Sequence, residues 1–212
     1  PTIKIKTFKQ ILKIIKQYQN STKRPLVILI GTWHLRKDSL LMKELDNYLV
    51  IYPGDIEGKK VADLGCGNGV LGCGALLLGA KHVVFLDVDR KVIGVVRENV
   101  SLIEKQMKKA FSCSYLLKNV DAFHEAVDCI IENPPFGVQT EHADRNFLAA
   151  AVNAKAAYSF HKLDTKDFIE EFVRNHHKKA QLLKTYSFPL RRTMHFHTKN
   201  VYAVDVGLWR IS

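Results

Sequence analysis

The chain is poor in the features that would place it among secreted, metal-held or membrane proteins. Its four cysteines, Cys66, Cys73, Cys113 and Cys129, include no C-x-x-C pair. That spacing argues against a disulfide framework or a zinc ribbon, and three of the four lie in apolar stretches, as reduced core thiols of a cytoplasmic protein would. His195 and His197 would share one face of a strand, but no cysteine or second histidine pair stands near them at ligand spacing, so no metal is expected. The longest apolar run near the N-terminus, Leu26 to Ile30, is far short of the roughly 18 residues a membrane span requires. Lys4, Lys6, Lys9, Lys13 and Lys16 interrupt everything before it, which argues against a signal peptide. Acidic residues are also short, 21 against 32 lysines and arginines, and the formal charge of +11 favours a polyanionic partner. Prolines number only six, yet two stand side by side in E-N-P-P-F-G at 132–137.

What is present is an alternation of strands and helices from residue 60 onward. Lys60–Leu64 reads as a strand, followed by glycines at 65, 67 and 69 and by a helix over Val70–Leu78 that Gly79 stops. Val83–Asp87 is a second strand, Arg90–Asn99 a second helix, Cys113–Leu117 a third strand and Val127–Ile131 a fourth. Asp144–Lys155 has helical spacing, Ala156–Phe160 is a fifth strand, and Asp164 caps a helix to about His177. This rhythm predicts an α/β fold with a Rossmann-like, doubly wound, mostly parallel sheet. Ala180–Phe188 and Val201–Ile211 are strand-like with no helix between them, which predicts a C-terminal antiparallel hairpin at a sheet edge. At 212 residues, about half of them apolar, the expectation is one domain over 54–212 behind a helical preface over 1–53. Within the preface, Phe8–Tyr18 reads as an amphipathic helix, Leu26–Ile30 as a strand and Leu40–Leu49 as another helix.

The loop D-L-G-C-G-N-G (63–69) places three glycines where the first strand enters the first helix. Missing Cβ atoms let a ligand approach the backbone, and the helix start offers unpaired N–H groups. A dinucleotide fingerprint would need glycine at position 70, where Val70 stands, so a pyrophosphate is not the expected guest. Asp63 beside the loop would repel phosphate and attract an ammonium group, which S-adenosylmethionine carries. Asp87, at the end of the second strand, is placed to accept two ribose hydroxyls, while Asp89 is the better helix cap. Asp121, past the third strand, is either an acceptor for the cofactor's adenine amino group or a solvated turn aspartate.

The paired prolines lie after the fourth strand, next to the topological switch point where open α/β sheets bind ligands. Each proline holds the residue before it in extended geometry. The Asn133 side-chain oxygen and the Pro134 carbonyl thereby become two fixed acceptors, and neither Pro134 nor Pro135 supplies a competing N–H. Two acceptors suit an exocyclic NH₂ group, Phe136 offers a face on which a base can stack, and Gly137 turns the loop away. Lys162, Lys178, Lys179, Arg191 and Arg192 would track an RNA backbone toward this pocket.

These motifs resemble Rossmann-like class I S-adenosylmethionine-dependent methyltransferases that modify exocyclic amines. V-A-D-L-G-C-G-N-G-V-L, E-N-P-P-F-G, H-A-D-R-N-F-L, A-Y-S-F-H-K and the closing D-V-G-L-W-R-I-S narrow the resemblance, over about 54–212, to the methyltransferase-like-five family and its archaeal relatives. The resemblance implies adenine-N6 methylation of small-subunit ribosomal RNA, with Gly65, Asn68, Val70, Asp87 and Asp121 at the cofactor, beside Gly67 of the same loop, and Asn133 to Phe136 at the adenine. It also implies a small zinc-ribbon activator subunit docked along a sheet edge. Gln17 and Tyr18 match a cofactor-lid motif of that family, Lys16 replaces its acid, and residues 26–52 match nothing in it. Other readings of the residues are guanine-N2 or protein-glutamine methylation, and a non-catalytic RNA-binding subunit of the same fold.

Overall fold

A computed structural model describes residues 26–29, 48–134, 143–191 and 201–212. Nine strands and four α-helices lie in these stretches. β1 (Leu26–Leu29) and β2 (Tyr48–Ile51) pair antiparallel as a separate two-stranded sheet. The main sheet holds β3 (Lys60–Leu64), β4 (His82–Asp87), β5 (Cys113–Leu117), β6 (Cys129–Glu132), β7 (Ala156–Lys162), β8 (Ala180–Arg191) and β9 (Val201–Ile211). Its order is β5-β4-β3-β6-β7-β9-β8. Strands β3 to β7 run parallel, and β9 inserts antiparallel between β7 and β8. The expected doubly wound sheet with its C-terminal hairpin is therefore present.

Period-two alternation along each strand sorts the core onto two faces. Val61, Val83, Phe85, Cys129, Ile131, Tyr158 and Phe160 meet α1 (Val70–Leu77) and α2 (Arg90–Met107) on one face. Ala62, Leu64, Val84, Leu86, Ile130, Ala157 and Trp209 meet α3 (Ala143–Ala151) and α4 (Lys166–Asn175) on the other. Cys66, Cys73 and Cys129 are buried free thiols, and burial pushes each thiol well above its ordinary pKa.

Several boundaries differ from the sequence expectation. α2 runs eight residues past Asn99, because Val100 and Ile103 continue the buried row begun by Ile93 and Val96. Asp164 caps nothing: it sits in a 3₁₀ turn over Leu163–Thr165, and α4 starts after it without a side-chain cap. α3 ends at Ala151, short of Lys155. The helix expected over Leu40–Leu49 is overturned at its end, where Tyr48 and Leu49 pair with Leu29 and Ile28. The Phe8–Tyr18 helix lies outside the described residues.

A polar clamp fixes the entry into the main sheet. Tyr158 Oη donates to Asp55 Oδ2 at 2.6 Å and accepts from the Tyr52 amide at 2.9 Å, while Arg210 Nε reaches Asp55 Oδ2 at 2.8 Å. Burial alone would raise the Asp55 pKa, but the hydrogen bonds from Arg210 and Tyr158 and the Arg210 charge hold it below its usual value. Among the described residues, no helix is long and apolar enough to cross a membrane.

Candidate active site

The parallel strands end on one side of the sheet, and the candidate residues collect there. At the β3–α1 turn Gly65, Gly67 and Gly69 have φ of 62°, 51° and 75°, a region that side chains rarely adopt. At Gly65 space is also decisive, since a Cβ would sit 3.0 Å from the Phe147 ring of α3. The loop is held by its neighbours: Gly67 N–H donates to Asp87 Oδ2 at 3.0 Å, Cys66 N–H to the Leu86 carbonyl at 2.9 Å, and Asn99 Nδ2 to the Asn68 carbonyl at 2.8 Å. Asn68 Oδ1 accepts from Val70 N–H at 3.2 Å, satisfying one of the unpaired donors at the start of α1.

Asp63 is not where an ammonium contact requires it. The strand alternation turns it under α1, where it is 1% exposed and Oδ2 accepts from Gly72 N–H at 2.7 Å. Burial raises its pKa well above the usual carboxylate range, the Gly72 bond opposes this and the Asp87 charge adds to it. The carboxyl braces the loop from below through this bond. The fit is close, for a Cβ on Gly72 would lie 2.3 Å from Phe85 Cε1 and 2.9 Å from Asp63 Oδ2.

Asp87 ends β4, half-buried, with Oδ2 on Gly67 N–H and Oδ1 on Asp89 N–H at 3.0 Å. Each carboxylate oxygen accepts two hydrogen bonds, so capacity for a diol remains. Asp89 caps α2 through Lys91 N–H at 2.8 Å, as its position suggests. Val88 beside it is 67% exposed, an apolar side chain left open between two carboxylates. Sequence reasoning did not single out Val88, although an apolar residue directly after a strand-ending acid was a legible candidate. Asp121 is exposed in a 3₁₀ turn (Val120–Ala122) after β5, at the same end of the sheet.

Glu132 is the last residue of β6 paired to both neighbours, opposite Leu64 of β3 and Ser159 of β7. Asn133 and Pro134 follow immediately, beside the end of the strand that feeds the glycine loop. Pro134 is buried, and Asn133 Oδ1 is buried with no hydrogen-bond donor among the described residues. Leaving such an acceptor unmatched costs about 1–3 kcal/mol, a debt that a bound N–H donor cancels. Pro135, Phe136, Gln17 and Arg192 lie outside the described residues.

The described basic residues lie at both ends of the sheet. Lys162 ends β7 on the site's side, and Arg191 ends β8 beyond it. Lys178 and Lys179 precede β8, at the opposite end of the sheet, and Lys178 Nζ is spent on the Ala154 carbonyl at 2.6 Å. Of the expected RNA-tracking residues, Lys179 and Arg191 are thus separated by about 40 Å of strand along β8.

A parallel sheet carrying a glycine turn, a strand-ending acid and an Asn-Pro acceptor at its switch point defines a Rossmann-like class I methyltransferase architecture. The profile of the methyltransferase small domain family matches residues 38–181, and the chain belongs to that family. It is 32% identical over 161 residues to the rRNA N(6)-adenosine-methyltransferase METTL5 of Danio rerio, covering 74% of this chain and 77% of the relative. It is 33% identical over 166 residues to an uncharacterized protein of Methanocaldococcus jannaschii, covering 74% of this chain and 75% of that protein. A crystal structure from Pyrococcus horikoshii, of a protein proposed to be an RNA methyltransferase, superposes with a TM-score of 0.65 at 39% identity, over 75% of this chain and 76% of that one.

Proposed function

We propose that the protein is a cytoplasmic, S-adenosylmethionine-dependent methyltransferase acting on the N6 amino group of an unpaired adenine in RNA, of which small-subunit ribosomal RNA is the class. The observation that carries this reading is the buried Asn133 Oδ1 at the end of β6, next to the glycine loop and without a donor among the described residues. The similarity to an rRNA N(6)-adenosine-methyltransferase supports the choice of adenine and of RNA, and the charge of +11 supports a polyanion over a protein glutamine.

The backbone of the Gly65–Gly69 turn would line the S-adenosylmethionine site, Asp87 would accept from its ribose, and Val88 and Asp121 would flank its adenine. When bound, that cofactor supplies an electrophilic methyl group on a sulfonium. The protein's task is to present the amine, whose lone pair is delocalised into the purine ring. Asn133 Oδ1 and the Pro134 carbonyl accept its two hydrogens and draw the nitrogen toward tetrahedral geometry, freeing the lone pair for in-line attack. Positioning and electrostatic stabilisation supply the rate, and a base is not needed beforehand because the amine becomes acidic only once methylated. A zinc-ribbon partner, implied by the family resemblance, would find its sheet edge at β5, where Leu117 is exposed.

The test is Asn133→Ala, assayed with labelled S-adenosylmethionine and small-subunit ribosomal RNA. Turnover should drop by orders of magnitude with cofactor affinity nearly unchanged. Wild-type turnover in the variant would sink the mechanism.

A further inference from the structure

β6 reads Cys-Ile-Ile-Glu, three apolar residues and then a carboxylate that is 0% exposed. A buried carboxylate carries a penalty of several kcal/mol unless it is hydrogen-bonded, and this one stands one residue before the acceptor pair. Ser159 of β7, directly abreast and equally buried, donates Oγ–H to Glu132 Oε1 at 2.6 Å. Two residues on and on the same face, His161 Nε2 lies 2.7 Å from the same Ser159 Oγ. A serine has one hydrogen to give, so with that hydrogen on Glu132 the imidazole must be the donor, with its proton on Nε2. Burial pushes the His161 pKa down to about 4, so the ring is neutral at physiological pH. The chain His161, Ser159, Glu132 thus runs in one direction toward the end of β6.

The register says what the chain supports. Glu132 pairs with Ser159, so continuing the parallel register sets position 133 abreast of Phe160 and position 134 abreast of His161. β7 therefore runs on beside Asn133 and Pro134 after β6 has stopped pairing. Behind it β9 packs tightly, with Gly207 abreast of His161, where a Cβ would meet Leu182 Cδ1 at 2.7 Å and Trp209 Nε1 at 2.9 Å. We propose that Glu132, Ser159 and His161 are positioning residues that fix the direction of the chain where it leaves β6, and with it the placement of the Asn133 and Pro134 acceptors. This rests on the reading of those acceptors as the amine site. Placement errors of an ångström at such a site cost about a hundredfold in rate, which makes a buried polar anchor worth its desolvation.

The experiment is Ser159→Ala, measured in three ways: steady-state methylation of small-subunit ribosomal RNA, S-adenosylmethionine affinity by calorimetry, and amide hydrogen exchange over 129–134. The expected result is a fall in kcat of about tenfold or more with the RNA KM and cofactor affinity little changed, and faster exchange confined to the end of β6. Glu132→Gln, which keeps an acceptor oxygen, should lose less kcat than Glu132→Ala, and serves if Ser159→Ala fails to fold. Unchanged kcat, or exchange raised uniformly across the sheet with a matching loss of thermal stability, would overturn the positioning role. If the wild-type protein does not methylate adenine, the amine-site reading falls, and the exchange at 129–134 still decides whether the chain holds the end of β6.

Discussion

At the scale of single residues, the site joins side chains with two duties. Asp87 ties Gly67 and Asp89; on the proposed reading it also accepts from the cofactor's ribose, so Asp87→Ala should weaken S-adenosylmethionine binding by about 1.5–3 kcal/mol, the worth of lost charge-assisted bonds. Calorimetry that finds unchanged affinity would leave Asp87 a loop brace only. His161 gives a pH dependence. Its folded pKa of about 4 lies below the unfolded value near 6.5, so the unfolded chain binds the extra proton first. Stability is then full above about pH 6.5 and declines toward pH 4, by an amount on the order of 3 kcal/mol. Asp63 works against this as pH falls, since its raised pKa favours the folded, protonated form at low pH. Thermal melts between pH 7 and 5 should show a steeper loss in the wild type than in His161→Gln, and parallel curves would remove His161 as the cause.

At the scale of elements, the C-terminal hairpin is the one that overhangs. β9 stays paired to β7 only as far as Val206 opposite Lys162, whereas β8 and β9 continue together from Ser187↔Asp205 to Arg191↔Val201. This ribbon projects past the end of the sheet where Asn133 lies. Pro189 is tolerated in it because β8 is an edge strand. Arg191→Ala with Arg192→Ala should therefore reduce the salt dependence of RNA binding, and Lys178→Ala with Lys179→Ala should leave it nearly unchanged. Filter binding across a salt series checks both. Equal slopes in the two double variants would mean that the ribbon has no special share in holding phosphate.

For the whole molecule, the expected substrate form follows from the two acceptors and the positive charge together. An adenine in a Watson–Crick pair has one amino hydrogen engaged, and extruding it costs a few kcal/mol. Methylation should be strong on an adenine in a single-stranded or junction segment and weak once a complementary oligonucleotide covers it. Equal rates on both forms would point to a base-flipping element.

The sequence alone determined the sheet's parallel run, the glycine turn and the hairpin, because each is written in neighbouring residues: apolar runs of strand length and glycines in a row. It also determined that Asp89 would cap α2, since a cap acts within two residues of itself. Only the tertiary structure decided what depends on which face a side chain takes and what stands across from it. Alternation along β3 turned Asp63 inward onto Gly72, though its place before the loop reads equally well as outward. The length of β8 put Lys179 and Arg191 at opposite ends of the sheet. Glu132 and Ser159 are 27 residues apart and meet only because β6 and β7 pair in one register. Local patterns record the energetics of short stretches of chain, whereas register and facing are settled by the packing of the whole sheet.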